Sequence, residues 1–410
     1  MYTTKHTFIS CLFAALTATA SPAAASSTPF DPGFDISSVI ALAQQLPSHS
    51  WEYGTAAEML LELQSTNISV YGSNPFPVPT LDPSTVPAMA YAEPRTPIGA
   101  HGLANGNGAV GDPASLGTTA VLLGKTNATF AQAAADEIEY VVGPEVPRWV
   151  NGAISHRADI AELWADFIYM APPFIAYYAS DTNNASLLET AYIQCGLYRE
   201  VLLFNSSAST FSPLGTSPTN GLWHHIIGPQ SQDLGLWSTS NGWAAGGMAR
   251  VLQTIIKAPV ALGTSWRSSA ISDLTGWIKE IIDGARASPM QGGLLLNYLD
   301  DTSGDGHGFP EISGSSMLAA VAYRMMVTAP DAFPAPTYLP WADGIRTTLG
   351  GVDADGNPHI TVNGTATPAV NPLSWQSTVP WTAGSPEGNC FVVLMYNAWR
   401  DCVYAGICNT

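Results

Sequence analysis

Within a short span of the chain stand an imidazole, a guanidinium, several carboxyls and an indole: His156, Arg157, Asp159, Glu162, Trp164 and Asp166. Asp159 followed by Glu162 reads as a capping-box-like helix start, with an acidic first turn that the helix dipole favours. From there Ile160, Leu163, Trp164, Phe167, Ile168 and Met170 predict an almost wholly apolar helix over 160–180, which Pro172-Pro173 should interrupt. Asp166 falls inside that helix, four residues after Glu162 and therefore on the same face. Desolvation and the Glu162 charge both favour a neutral carboxyl there, one with a proton to donate. The plainer alternatives are an Asp bonded to backbone, or a solvated stripe shared with Asp159 and Glu162.

The elements that must position these groups are helical. Apolar residues recur at helical spacing in 36–46, 54–65, 114–124, 129–142, 160–180, 185–204, 242–257, 268–287, 313–328, 338–348 and 388–400. Gly263 and Pro330 mark stops. Residues 66–112 are dense in Pro, Gly and Asn and read as a functional loop. The segments 294–299 and 357–362 read as short strands. Stretches such as VIALAQQL, TAVLLG and SSMLAAVAYRMM are apolar around their whole circumference, which suits helices buried on more than one side. No internal repeat supports a solenoid. The pattern therefore favours an all-α (α/α)6 toroid of six helical hairpins.

Composition narrows the class. Lys plus Arg number 14 against 32 Asp plus Glu, a formal net charge of −18, so the surface repels phosphate backbones and anionic membranes. No nucleic-acid or membrane partner is expected, and a monomer is. Residues 1–20 read as a secretory signal, with Lys5, an apolar Phe8–Leu16 run and a small-residue cut at Ala18-Thr19-Ala20. Residues 21–35 then form a linker and 36–410 a single catalytic domain. Sequons at Asn67, Asn127, Asn184, Asn205 and Asn363 agree with a secreted, extracellular glycoprotein. Cys11 leaves with the signal. Of the remaining Cys195, Cys390, Cys402 and Cys408, the last three crowd the end of the chain and point to a loop staple there. Their spacing does not suit zinc.

The segment from His156-Arg157 through Trp164-Ala165-Asp166-Phe167-Ile168-Tyr169-Met170-Ala171-Pro172-Pro173-Phe174 resembles the unsaturated glucuronyl and rhamnogalacturonyl hydrolases (glycoside hydrolase family 105, with family 88 as cousin). Gly221-Leu222-Trp223-His224-His225, Leu236-Trp237-Ser238-Thr239-Ser240-Asn241-Gly242-Trp243 and Glu311-Ile312-Ser313-Gly314-Ser315-Ser316-Met317 are similar to further family blocks in the same order. Gly111-Asp112-Pro113 and Ser385-Pro386-Glu387-Gly388 show a weaker likeness.

The resemblance implies a secreted hydrolase that releases a 4,5-unsaturated galacturonyl or glucuronyl residue from lyase-generated oligosaccharides. Asp166 matches the acid that protonates the double bond, after which water adds at C5. Enol-ether hydration needs one acid/base group, whereas ordinary glycosidases need two opposed carboxylates. Trp164, Trp237 and Trp243 match aromatic positions of the sugar pocket, and His156 and His225 match its polar contacts. No cofactor or metal is implied. Where the family pattern carries an Arg, this chain carries Thr239, which cannot offer a bidentate partner to a uronate carboxylate. Arg157 or Arg148 is left to take that part. Two other readings stay open: the same fold cleaving a saturated carbohydrate with help from Glu162 or Glu311, and a binding protein without catalysis.

Asp300-Asp301-Thr302-Ser303-Gly304-Asp305-Gly306 lacks the ladder of a calcium-binding EF loop and reads as a Gly-rich turn. The absence of G-x-S-x-G argues against an α/β-hydrolase.

Overall fold

The computed structural model describes residues 28–204 and 221–410. The expected signal segment 1–20, linker residues 21–27 and Asn205 lie outside the described residues. The helices are α1 Ile36–Gln45, α2 Ser50–Gln64, α3 Pro87–Ala92, α4 Gly111–Ala114, α5 Gly117–Gly124, α6 Ala128–Val142, α7 Phe167–Asp181, α8 Ala185–Leu202, α9 Ser238–Lys257, α10 Arg267–Ala287, α11 Ile312–Thr328, α12 Ala335–Thr348 and α13 Pro386–Tyr404. Among the described residues none is long and apolar enough to cross a membrane.

The fold is a six-hairpin toroid. Helix α2, the broken pair α4/α5, α7, α9, α11 and α13 pack side by side, and α13 returns to α2 to close the ring. Outside them, α3, α6, α8, α10, α12 and α1 pack against α2, α5, α7, α9, α11 and α13 respectively. This arrangement explains the apolar circumference of the inner helices: α9 is buried from Ser238 to Ile255 and α11 from Ile312 to Met326. Small residues let these helices approach. A Cβ on Gly314 would lie 2.3 Å from Ser238 Oγ, so any larger residue would push α11 off α9.

The axis of the ring is polar. Arg250 of α9 bridges Glu58 and Glu62 of α2, and Arg324 of α11 joins Glu62 to Asp401 of α13. These side chains tie α2, α9, α11 and α13 across the centre. Beside them a gap of about 20 Å³ remains, with Tyr71 and Tyr169 in its lining.

Several expectations are corrected. Helix α7 begins at Phe167, not 160, because Leu163–Trp164 (β1) pairs antiparallel with Ile226–Ile227 (β2) and holds the preceding residues extended. Asp166 is consequently the residue that enters the helix. Pro172 and Pro173 lie inside α7 without stopping it, since both are buried among neighbours that hold the helix on every side. Only Leu294–Leu295 of 294–299 is a strand (β4), paired with Met290–Gln291 (β3); 357–362 has isolated bridges alone. The C-terminal staple forms between Cys402 and Cys408, while Cys195 and Cys390 are free and buried. The 300–306 segment is a turn in which Asp301 Oδ1 accepts from Ser303 N. Asp301, Asp305 and His307 bring their donor atoms within 4.8 Å of one another there.

Candidate active site

The starts of the inner helices converge on one mouth of the toroid, where they enclose a cavity of about 210 Å³. Trp51 belongs to the first turn of α2, Asp112 to α4 and Glu387 to α13, while Asp166 and Trp237 immediately precede α7 and α9. His156, Arg157, Trp164 and His225 come from the loops between hairpins, and Pro372, Leu373 and Trp375 complete the wall.

The β1–β2 pair sets the register of the two principal motifs. Ala165 N donates to His225 O at 2.9 Å, so Asp166 and His225 are delivered together. The Asp166 carboxyl has 13% of its surface exposed, and its Oδ2 faces His225 Nε2 at 3.3 Å. The two atoms are close but miss hydrogen-bond geometry, and neither has another partner. On the far side of the ring, His225 Nδ1 donates to Asp233 Oδ2 at 2.9 Å. Asp233 also accepts from Tyr298 Oη at 2.7 Å, Trp375 Nε1 at 3.1 Å and Gly235 N at 2.9 Å.

The electrostatics follow from these contacts. Burial works against a charged His225, but Asp166 and Asp233 on its two sides outweigh it and raise its pKa. Burial likewise opposes an ionised Asp233, yet the bonds from His225, Tyr298 and Gly235 hold its pKa down at about 2. His156 is different. Burial drops its pKa to about 4, so the imidazole is neutral and its 3.7 Å approach to Asp112 is no salt bridge. It lies on Trp164, ring centroids 4.8 Å apart. Gly111 permits this placement, because a Cβ there would stand 2.8 Å from His156 Nδ1. Asp112 is pushed up to about 7, first by burial and then by the charge of Asp166.

The indoles form the apolar wall. Trp164 meets Trp375 and His225 edge-on, and Trp237 tilts over His225 at 4.5 Å. Trp237 is fixed by its Nε1 bond to Asn297 Oδ1 at 2.8 Å. Asn241, from the same motif, binds Trp223 N and O and Trp237 O, lacing the two blocks together.

Of the expected site residues, Asp166, His156, Arg157, Trp164, His225 and Trp237 line the cavity. Trp243 does not: it is fully buried one turn inside α9, against Tyr169 and Phe391. Glu162 does not share a face with Asp166 either. Its Oε1 accepts from Trp164 Nε1 and its Oε2 from Gln230 N and Ser231 N, which makes it a brace behind the tryptophan. Glu311 is spent capping α11, with Ser313, Gly314 and Val370 as donors. Thr239 is buried away from the cavity, and Arg148 is committed to Val142 O and Gly143 O. Arg157 is left as the one Lys or Arg in the lining among the described residues, with a buried Nε that has no partner.

Asp112, Asp233, Trp375, Trp51 and Glu387 were not singled out as site residues in the sequence. Asp112 and Glu387 sat within the weaker look-alike segments, the one available signal.

The family model for Glycosyl Hydrolase Family 88 matches residues 112–368, well over half of the chain. No curated protein sequence matches. Solved structures share the fold at low identity. A family 105 glycoside hydrolase from C. acetobutylicum ATCC 824 aligns at 15% identity and TM-score 0.63, covering 89% of this chain and 99% of that one. A family 88 glycosyl hydrolase from Bacteroides vulgatus aligns at 14% and 0.56, covering 92% and 99%. The GH76A α-1,6-mannanase of Salegentibacter sp. HEL1_6 aligns at 14% and 0.57, covering 91% and 100%.

Proposed function

Because the chain belongs to glycosyl hydrolase family 88 it is a glycoside hydrolase, and we propose that it removes a terminal 4,5-unsaturated galacturonyl or glucuronyl residue from lyase-generated oligosaccharides by hydrating the double bond. The observation that carries this reading is Asp166, held against His225 in a tryptophan-lined cavity too small for an extended chain. At about 210 Å³ it lies below the ~300–1,000 Å³ of pockets for drug-sized ligands, and suits one sugar ring.

The His225–Asp166 pair shares the working proton. Asp166 delivers it to C4, the π electrons form the new C–H bond, and positive charge develops at C5 and the ring oxygen. Water adds at C5 and returns a proton to Asp166. The C5 hemiketal then opens its bond to the ring oxygen, leaving C1 a hemiacetal that expels the rest of the chain. Asp233 stabilises the imidazolium that alternates with neutral His225, and the indoles pack on the sugar face and limit water. Arg157 offers its free Nε–H to the uronate carboxylate in place of the Arg that Thr239 replaces.

A second reading keeps the cavity and changes the substrate to a saturated glycoside. It is favoured by one arrangement: Asp112 and Asp166 both line the cavity, and Asp112 keeps its proton up to about pH 7. An acid beside a carboxylate is the equipment of ordinary glycoside hydrolysis, and the mannanase of similar fold is a precedent for other substrates.

Secretion forms part of the proposal. The Cys402–Cys408 disulfide and the exposed sequon residues Asn67, Asn184 and Asn363 support it. The test is a screen of lyase digests of pectin, rhamnogalacturonan, glucuronan and glycosaminoglycans, following loss of the double bond's ultraviolet absorbance. Cleavage of saturated oligosaccharides with no dependence on that bond favours the second reading.

A further inference from the structure

Glu387 has no part in the reaction just described, yet it stands in the cavity wall at the second position of α13. It is 4% exposed. Its Oε1 accepts from Trp51 Nε1 at 2.9 Å, which fixes the carboxyl plane, and its Oε2 is buried with no partner. A buried acceptor left unpaired costs about 1–3 kcal/mol, and one on a residue of the cavity wall can recover that cost by bonding a bound ligand. Burial, and after it the charge of Asp166, raise the Glu387 pKa well above the ordinary carboxylate range, so the free oxygen carries a proton to donate.

We propose that Glu387 is a specificity-determining residue whose free Oε2 hydrogen-bonds a hydroxyl of the terminal sugar, so that the enzyme selects sugars unesterified at the position facing α13. An acetyl ester in that place has no hydroxyl to exchange bonds with Oε2 and needs room that a one-sugar cavity lacks. A sulfate ester would set an anion against a carboxyl, while the cavity's guanidinium, Arg157, sits on the segment paired with Ala109. The claim rests on the saccharide-binding cavity assigned above and adds the substituent it reads.

The test uses rhamnogalacturonan-lyase and glucuronan-lyase digests, each prepared with and without alkaline removal of acetyl esters. On de-esterified digests Glu387→Ala raises KM about fivefold to tenfold, the value of one neutral hydrogen bond, with kcat within about twofold. Glu387→Gln, whose amide still donates and accepts, stays within about threefold of wild type. Acetylated digests are turned over at least about tenfold less efficiently by wild type, and Glu387→Ala narrows that gap to about threefold. An unchanged KM in Glu387→Ala, or an undiminished acetyl penalty, overturns the assignment. Calorimetric binding of the de-esterified disaccharides to Asp166→Asn and to Asp166→Asn/Glu387→Ala separates this claim from the reaction. Equal affinities refute the role of Glu387; a fivefold to tenfold loss supports it even if wild type hydrates neither digest.

Discussion

Trp375 donates its indole N–H to Asp233 Oδ2 across 3.1 Å, although 142 residues separate the two in sequence. The same oxygen takes bonds from His225 and Tyr298. A loop near the end of the chain thus reaches the carboxylate that orients the central imidazole, and its ring also meets Trp164. Trp375→Phe keeps most of the ring and deletes the bond. A drop in kcat/KM of about three- to tenfold is expected, with thermal unfolding nearly unchanged. Unaltered steady-state kinetics would make the contact incidental.

Asp166→Asn removes the acid and the anion beside His225 together. Turnover of unsaturated digests falls by about 10²–10⁴ while helical circular dichroism stays as in wild type. The His225 pKa, read by NMR titration, also falls, because Asp166 is the largest of the forces raising it. Retained turnover would take Asp166 out of the mechanism.

Asp112 gives the enzyme a pH signature. Its carboxyl holds a proton up to about pH 7 in the folded protein, against a reference value of 3.8. The folded state therefore binds more protons than the unfolded chain between those values, and stability falls as pH rises through that window. Ionised Asp112 also adds a second negative charge beside Asp166, so activity declines above about pH 7. Asp112→Asn should flatten the stability slope and displace the alkaline limb of the rate profile. A limb that stays in place assigns it to another group.

Arg250 bridges Glu58 and Glu62 in the centre of the ring. Arg250→Met leaves two buried carboxylates short of their partner, and a loss of about 3–5 kcal/mol in urea unfolding is expected. A loss below about 1 kcal/mol would mean that Arg324 and water take over the pairing.

The helices were readable because burial on several sides leaves a long apolar run, and the look-alike blocks located Asp166, His225 and Trp237. Local pattern failed where a tertiary partner decided the conformation. The acidic start at Asp159 and Glu162 imitates a helix cap, but the pairing of Leu163–Trp164 with Ile226–Ile227 keeps the chain extended until Phe167. Glu162 was therefore placed on the wrong face. Trp243 belongs to a sugar-pocket motif, yet it is buried inside α9 against Tyr169 and Phe391, away from the cavity. Trp51, Asp233 and Trp375 become site residues only when α2, the loop after β2 and a loop near residue 375 meet, and no local spacing encodes that meeting.

The charged plug across the toroid's axis has a kinetic consequence. The nearby gap of about 20 Å³ has room for roughly one water molecule and none for a pyranose. A sugar released in the cavity, as the proposed reaction requires, would leave by the mouth through which the oligosaccharide entered, so the rest of that oligosaccharide has to withdraw first. On the proposed reaction the shortened chain carries no double bond and is not cut again, so what the plug imposes is an order of departure, the saturated product before the small one.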